Sequence, residues 1–133
     1  MLLEIVTPEG KAFSDDVSGV VLPGALGEMG ILPNHAALVS TLTAGELRYT
    51  KDAKSHELAI GAGFVEITGD HVNVLTEMAL RDADIDESAV QAALDRAQAR
   101  LKEDVLPEET AAIEAAIANS MAQLHLKRKR RAI

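Results

Sequence analysis

Between Leu2 and Leu80 the large apolar residues come in short alternating runs: Leu3 and Ile5, Val20 and Leu22, Leu58 and Ile60, Val65 and Ile67, Val72 and Val74. A period of two is that of a strand with one covered and one wet face. Turn signals divide the runs at Pro8-Glu9-Gly10, Pro23-Gly24, Pro33-Asn34, Ala44-Gly45 and Gly69-Asp70. Many short strands separated by turns predict a β-sandwich or barrel of about ten strands. Phe13, Phe64 and Tyr49 are its only aromatic residues, so the core must rest mainly on Val, Leu and Ile.

From Asp86 onward the period becomes helical. Val90, Ala93 or Leu94, Ala97 and Leu101 share one face of a first segment, and Ile113, Ile117, Met121 and Leu124 share one face of a second. Pro107 between them ends one helix and suits the first turn of the next. Asp86 is placed to cap the first helix, and Glu108-Glu109 stand where the second helix dipole favours negative charge. The whole is an α+β chain: a β-sandwich over residues 1–84, then an antiparallel two-helix hairpin over 85–133. Alanine dominates the seam of that hairpin, and it allows close approach at little burial per residue, so the hairpin is expected to be able to detach.

Composition narrows the chemistry. A formal charge of −8 argues against nucleic acid as a partner, since phosphate binding needs a basic face. The charge is uneven, because five of the thirteen Lys and Arg residues are consecutive, Lys127 to Arg131. With no cysteine there is no disulfide, no thiolate nucleophile and no thiolate metal site. Met1-Leu2-Leu3 runs at once into Glu4, and no run reaches the roughly 20 apolar residues of a membrane span. Neither a signal or transit peptide nor direct membrane insertion is therefore expected.

Sites with chemistry are scarce. His35, His56, His71 and His125 are widely spaced, without the His-x3-His pattern that puts two ligands on one helix face, so no metal is expected. Gly61-Ala62-Gly63 lacks the third glycine and the following helix of a dinucleotide fingerprint, and is read as a bulge or a close sheet contact. There is no phosphate-binding loop and no serine in a nucleophile-elbow context. No catalytic residues are assigned.

The most shaped stretch is Gly27 to Ala36, GEMGILPNHA, read as a turn between strands that presents an acidic and apolar tip. With its continuation to Leu47 it resembles the GELGI(L/Y)PGHAPLL...L(K)PG stretch of the epsilon subunit of F-type ATP synthases. Leu58 to Leu80, LAIGAGFVEITGDHVNVLTEMAL, resembles the second block of that family, and Arg81-Asp82 and Asp84-Ile85-Asp86 follow in the same order.

The resemblance implies a non-catalytic central-stalk subunit that joins the gamma subunit to the c-ring and restrains ATP hydrolysis through its last helix. It implies a peripheral place on the cytoplasmic face of the energy-transducing inner membrane. Glu28, Met29, Gly30, Ile31 and His35 are then the rotor contacts. Met121, Leu124 and Lys127, Arg128, Lys129, Arg130, Arg131 become an inhibitory rod that reaches the acidic segment of the alpha/beta catalytic head. Removal of the residues after Met121, or of the basic run, is expected to raise hydrolysis.

Some members bind ATP through an (I/L)-D-x-x-R-A motif. Here Ile85 and Asp86 match, but Ala89 stands in place of the arginine and Val90 in place of the alanine, with Arg96 and Arg100 further along the same helix as candidate substitutes. No cofactor is expected and ATP binding is doubtful, since Arg100 suits an i,i+4 pair with Asp104. The other reading of the same residues is a stand-alone β-sandwich that binds a small ligand, with the hairpin as its lid.

Overall fold

The computed structural model describes the backbone of residues 1–131 and the side chains through Lys129. Ten strands are present: β1 (Leu2–Thr7), β2 (Gly10–Asp16), β3 (Gly19–Gly24), β4 (Gly27–Ile31), β5 (Leu38–Leu42), β6 (Gly45–Lys51), β7 (Lys54–Ile60), β8 (Gly63–Thr68), β9 (His71–Thr76) and β10 (Ala79–Arg81). A 3-10 turn (Asp82–Asp84) leads into α1 (Glu87–Leu101) and α2 (Pro107–Arg131). The strands form one continuous ladder, β10-β7-β6-β3-β5-β8-β9-β1-β2, with β4 paired to β3 alone. All pairings are antiparallel except β1 with β9.

Alternation fills the interior as the pattern requires. Leu3, Ile5, Val20, Leu22, Leu58, Ile60, Val65, Ile67, Val72 and Val74 are all buried, joined by Ile31 and Leu47. Phe13 and Tyr49 pack ring to ring in this core, with centroids 4.8 Å apart. Phe64, expected to join them, stands outside and is 44% exposed. Val65 and Ile67 face inward, so strand geometry sends residue 64 to the other side.

Local punctuation is partly different from the expectation. Gly10 (φ 120°) and Gly69 (φ 55°) do close turns. Pro23-Gly24 instead lies inside β3, and Gly45 opens β6. The turn after β3 is Ala25-Leu26, and Gly27 leaves it with φ 125°. Residues 27–36 are therefore not one turn, because β4 takes up their first half and only Pro33-Asn34 turns the chain. Asp52 and Ala53 join β6 to β7 with φ of 51° and 62°, the left-handed pair of a tight hairpin, achieved without glycine.

The two helices form the expected hairpin, with α1 packed on α2 and α2 lying across β6, β7 and the 3-10 turn. Asp86 caps α1, accepting a hydrogen bond from the Ala89 N–H at 3.1 Å. Pro107 opens α2 with Glu108 and Glu109 in its first turn. The apolar face of α2 differs in one place: Met121 is 55% exposed, and Leu126 is completely buried. Helix α2 packs on α1 and on the sandwich at once. Leu124 is buried beside the helical seam, and Leu126 enters a second small core with Ala59 and Ile85, flanked by Leu80 and Val90.

Gly61 explains how close α2 comes to the sheet. A Cβ there would stand 2.8 Å from Asn119 Oδ1 and 3.2 Å from Glu77 Cβ. Asn119 donates to Glu77 at 3.2 Å, and buried Thr76 Oγ1 donates to the Gly61 carbonyl at 2.6 Å. At Gly63 a Cβ would fall 1.9 Å from the Leu75 carbonyl oxygen, so both glycines serve close contact, as the sequence suggests.

Candidate functional site

Two surfaces carry the residues singled out from the sequence. The first is the β3–β4 hairpin. Its register pairs Val20 with Ile31, Val21 with Gly30, Leu22 with Met29 and Pro23 with Glu28. Val20 and Leu22 point inward, so Ile31 and Met29 do too: Ile31 is 1% exposed, and Met29 is half-buried against the core. Ile31 therefore cannot offer its side chain to a partner, which corrects the expectation from the sequence.

The groups this hairpin does present are Glu28 and Gly30 on its outer face, with Leu26 at the tip and Leu32 just beyond β4, both exposed. Arg48 Nη2 on β6 donates to Glu28 Oε2 at 2.8 Å. The pair is open to solvent, so it positions Glu28 more than it stabilises the fold. Nothing stands within 4 Å of a Cβ built on Gly30, leaving the backbone there open to a close approach. His35 is half-buried beyond the Pro33-Asn34 turn. Its backbone N–H donates to the Leu32 carbonyl at 3.2 Å, and its Nδ1 lies 2.7 Å from the Ala36 carbonyl. Thus Glu28 and Gly30 lie on the surface with His35 half-exposed nearby, and the exposed apolar side chains beside them are Leu26 and Leu32 rather than Met29 and Ile31.

The second surface is the end of α2. The basic run was expected to project as a rod, but its first three side chains fold back on the rest of the chain. Lys127 Nζ donates to the Asp82 carbonyl at 3.0 Å, with the Asp82 carboxylate 3.9 Å away. Arg128 donates from Nε to Glu87 at 3.0 Å and from Nη2 to Gln91 Oε1 at 2.7 Å. Lys129 Nζ bonds both oxygens of Glu46 at 3.0 and 3.1 Å and lies 3.8 Å from Glu57. The side chains of Arg130 and Arg131 fall outside the described residues. Burial raises the Glu46 carboxyl, but the Lys129 and Glu57 contacts and the charges of Lys129 and Arg48 outweigh it and hold it below the usual glutamate range.

Nothing in the sequence marked Glu46, Glu57, Asp82 or Glu87 as the acceptors of these cations. They are scattered over 42 positions, and only the sheet and the helical turn bring them together.

The nucleotide candidates do not converge. Asp86 is occupied as the helix cap, and Arg96, exposed, lies ten residues further along α1, about 15 Å at the helical rise. Arg100 is committed to Glu103 at 2.6 Å and Glu109 at 3.1 Å, tying the two helices at their junction. The expected pair with Asp104 does not form, since α1 ends at Leu101 and residue 104 has left the helix. Among the described residues no three His, Asp or Glu side chains cluster as metal ligands.

Comparison with known proteins covers chiefly the β-sandwich. The family described as "ATP synthase, Delta/Epsilon chain, beta-sandwich domain" matches residues 1–82. Proteins named ATP synthase epsilon chain are similar over most of this chain. That of Lawsonia intracellularis is 46% identical over 99 residues, 74% of either chain, and that of Carboxydothermus hydrogenoformans gives the same figures. The fold also matches a chain of the Euglena gracilis mitochondrial ATP synthase (OSCP/F1/c-ring). There the TM-score is 0.67 at 21% identity, covering 99% of this chain and 79% of that one. A chain of the Tetrahymena thermophila mitochondrial ATP synthase (central stalk/c-ring) gives 0.58 at 14% identity, covering 98% and 95%. With the ten-stranded sandwich matched over residues 1–82 and nearly half of the aligned positions identical in those relatives, this chain belongs to the ATP synthase delta/epsilon family.

Proposed function

We propose that this chain is the epsilon subunit of an F-type ATP synthase: a non-catalytic rotor subunit that couples the gamma subunit to the c-ring and restrains ATP hydrolysis through its C-terminal helices. The observation that carries the reading is the 46% identity over 99 residues to proteins named ATP synthase epsilon chain. The likeness of the fold to chains of two ATP synthase assemblies supports it. No helix among the described residues is long and apolar enough to cross a membrane, which is compatible with a peripheral place on the cytoplasmic face of the energy-transducing membrane.

The β3–β4 hairpin is the proposed rotor contact, formed by Leu26, Glu28, Gly30, Leu32 and His35. Exposed apolar side chains beside a polar group and an open glycine backbone have the form of an interface patch. The test is comigration of the purified chain with gamma subunit in size-exclusion chromatography, then the same measurement on Leu26→Asp with Leu32→Asp. Both positions are exposed, so the isolated fold should melt as before while assembly weakens. Replacing Ile31 by Asp would not serve, since a carboxylate in the core unfolds the sandwich. A chain that never comigrates with gamma subunit favours the reading as a lidded ligand-binding module.

The second half of the proposal concerns the helices. Deleting the residues after Met121 should raise ATP hydrolysis by the assembled complex and leave assembly intact. Unchanged hydrolysis, with the subunit shown to be bound, would remove the inhibitory role.

A further inference from the structure

One charged cluster joins the two parts of the chain. Glu46 pairs with Ala59 and Arg48 with Glu57 across the β6–β7 ladder, so all four side chains stand on the outer face that α2 covers. Lys129 reaches both glutamates, and their side chains are only 12% and 17% exposed. Among the described residues, charges nearby are Arg48, which also holds Glu28 of β4; Lys127 beside Asp82 of the 3-10 turn; and Arg128 on Glu87 and Gln91 of α1. The cations Lys127, Arg128 and Lys129 sit on a single turn of one helix, and their carboxylates sit on four other elements. Lifting α2 therefore takes Lys129 from two carboxylates in one movement.

We propose that this cluster is a proton-linked latch: the hairpin stays docked while Glu46 is ionised beside Lys129, and it is released as Glu46 takes up a proton. A carboxylate held by an ammonium is compensated, whereas the same carboxylate without it binds a proton more readily. In the docked state Glu46 is held below its usual value by Lys129 and Glu57, against the effect of burial. A carboxyl depressed in the docked state favours docking above its released-state value, and that contribution is lost as pH falls through the docked value. One linked proton sets a limiting slope of about tenfold in the docked-to-released ratio per pH unit. Arg48 stays on the sheet in both states, so release removes the Lys129 contact and the cover that α2 lays over Glu46. Added salt weakens the latch in the same direction, moderately, because the ions are largely covered.

Any effect of the latch on hydrolysis rests on the proposed function; docking itself does not, and it can be measured on the isolated full chain. The chain has no cysteine, so Thr68→Cys on β8 and Ala99→Cys on α1, both exposed, accept nitroxide labels specifically. Electron–electron distance measurement between them, from pH 8 to the acid limit of the folded sandwich, reads docked and released populations. Melting of the sandwich in the same samples keeps release apart from unfolding.

The parent should gain a second, longer distance as pH falls, with a slope below the tenfold-per-unit limit of one proton, and Glu46→Gln should flatten that slope. Lys129→Met should release the hairpin even at neutral pH. A merely structural Glu46 would shift docking by one factor at every pH. A parent ratio independent of pH, or a Glu46→Gln chain that titrates like its parent, would overturn the latch. A chain that titrates as expected but does not assemble with gamma subunit would overturn the proposed function and leave the latch standing.

Discussion

Leu126 offers the sharpest test of how the hairpin is held. Its side chain is fully buried between Ala59 of β7 and Ile85 at the entry to α1, with Leu80 and Val90 alongside. Ala59 cannot grow to fill a space, and Ile85 is fixed next to the Asp86 cap, so truncation to alanine leaves a cavity that the surroundings close poorly. Buried Leu→Ala replacements of this kind cost about 2–5 kcal/mol, from lost transfer of the removed carbons and the cavity they leave. That cost falls on docking, because Leu126 touches the sandwich from outside and no residue of the main core depends on it. At about 1.4 kcal/mol per factor of ten, the docked-to-released ratio should drop by roughly 30-fold to a few thousandfold. Hydrogen exchange measured by mass spectrometry is the assay. In Leu126→Ala, amides of α2 and of α1 should exchange faster by that factor, while β1, β8 and β9 keep the protection of the parent. The reasoning fails if α2 stays as protected as before, or if the whole sandwich loosens together with it.

Four shorter expectations follow from the same geometry. Gly61→Ala should loosen α2 as well, since its Cβ meets Asn119 Oδ1 at 2.8 Å and Glu77 Cβ at 3.2 Å; the exchange assay should show the change nearest Asn119. Ala53→Gly should raise the melting temperature of the sandwich, because Ala53 holds φ 62° in a hairpin turn, a conformation that costs an L-residue roughly 1 kcal/mol. Toward acid, the sandwich should lose stability in part through Glu4 and Asp15. The Lys11 hydrogen bond, helped by His71 and opposed by burial, lowers Glu4, and the Lys51 hydrogen bond with the Asp16 N–H lowers Asp15. Their contribution is present above the usual values of 4.5 and 3.8 and is lost as pH falls through the lower folded ones, so Glu4→Gln should flatten the melting temperature below pH 4.5. Finally, titration calorimetry at millimolar ATP should give no one-to-one isotherm, since Ala89 stands in the motif, Asp86 caps α1 and Arg100 is tied to Glu103 and Glu109; clear saturable binding would refute this.

The alternation of Leu3 with Ile5, Val65 with Ile67 and Val72 with Val74 was sufficient to place strands and their inner face, because side-chain direction along a strand has a strict period of two. The helical hairpin was equally legible, as were the Asp86 cap and Pro107 start, since caps act within one turn of chain. What the local pattern could not decide was where a residue stands relative to a neighbour distant in sequence. Gly27 to Ile31 has the composition of a turn, yet five consecutive pairings with β3 extend it into a strand and draw Ile31 inside. Phe64 looks like core by type, and its register alone puts it outside. Leu126 sits within a run that reads as a charged tail, and it is buried only because α2 lies on a sheet strand far earlier in the chain, where Ala59 stands. The latch carboxylates are the extreme case. Glu46, Glu57, Asp82 and Glu87 carry no shared motif, and their meeting with Lys127, Arg128 and Lys129 depends on ladder register, on the 3-10 turn and on the way α2 crosses the sheet. Sequence periodicity sets which face of each element is apolar; charges far apart in the chain become neighbours only through the packing of those faces.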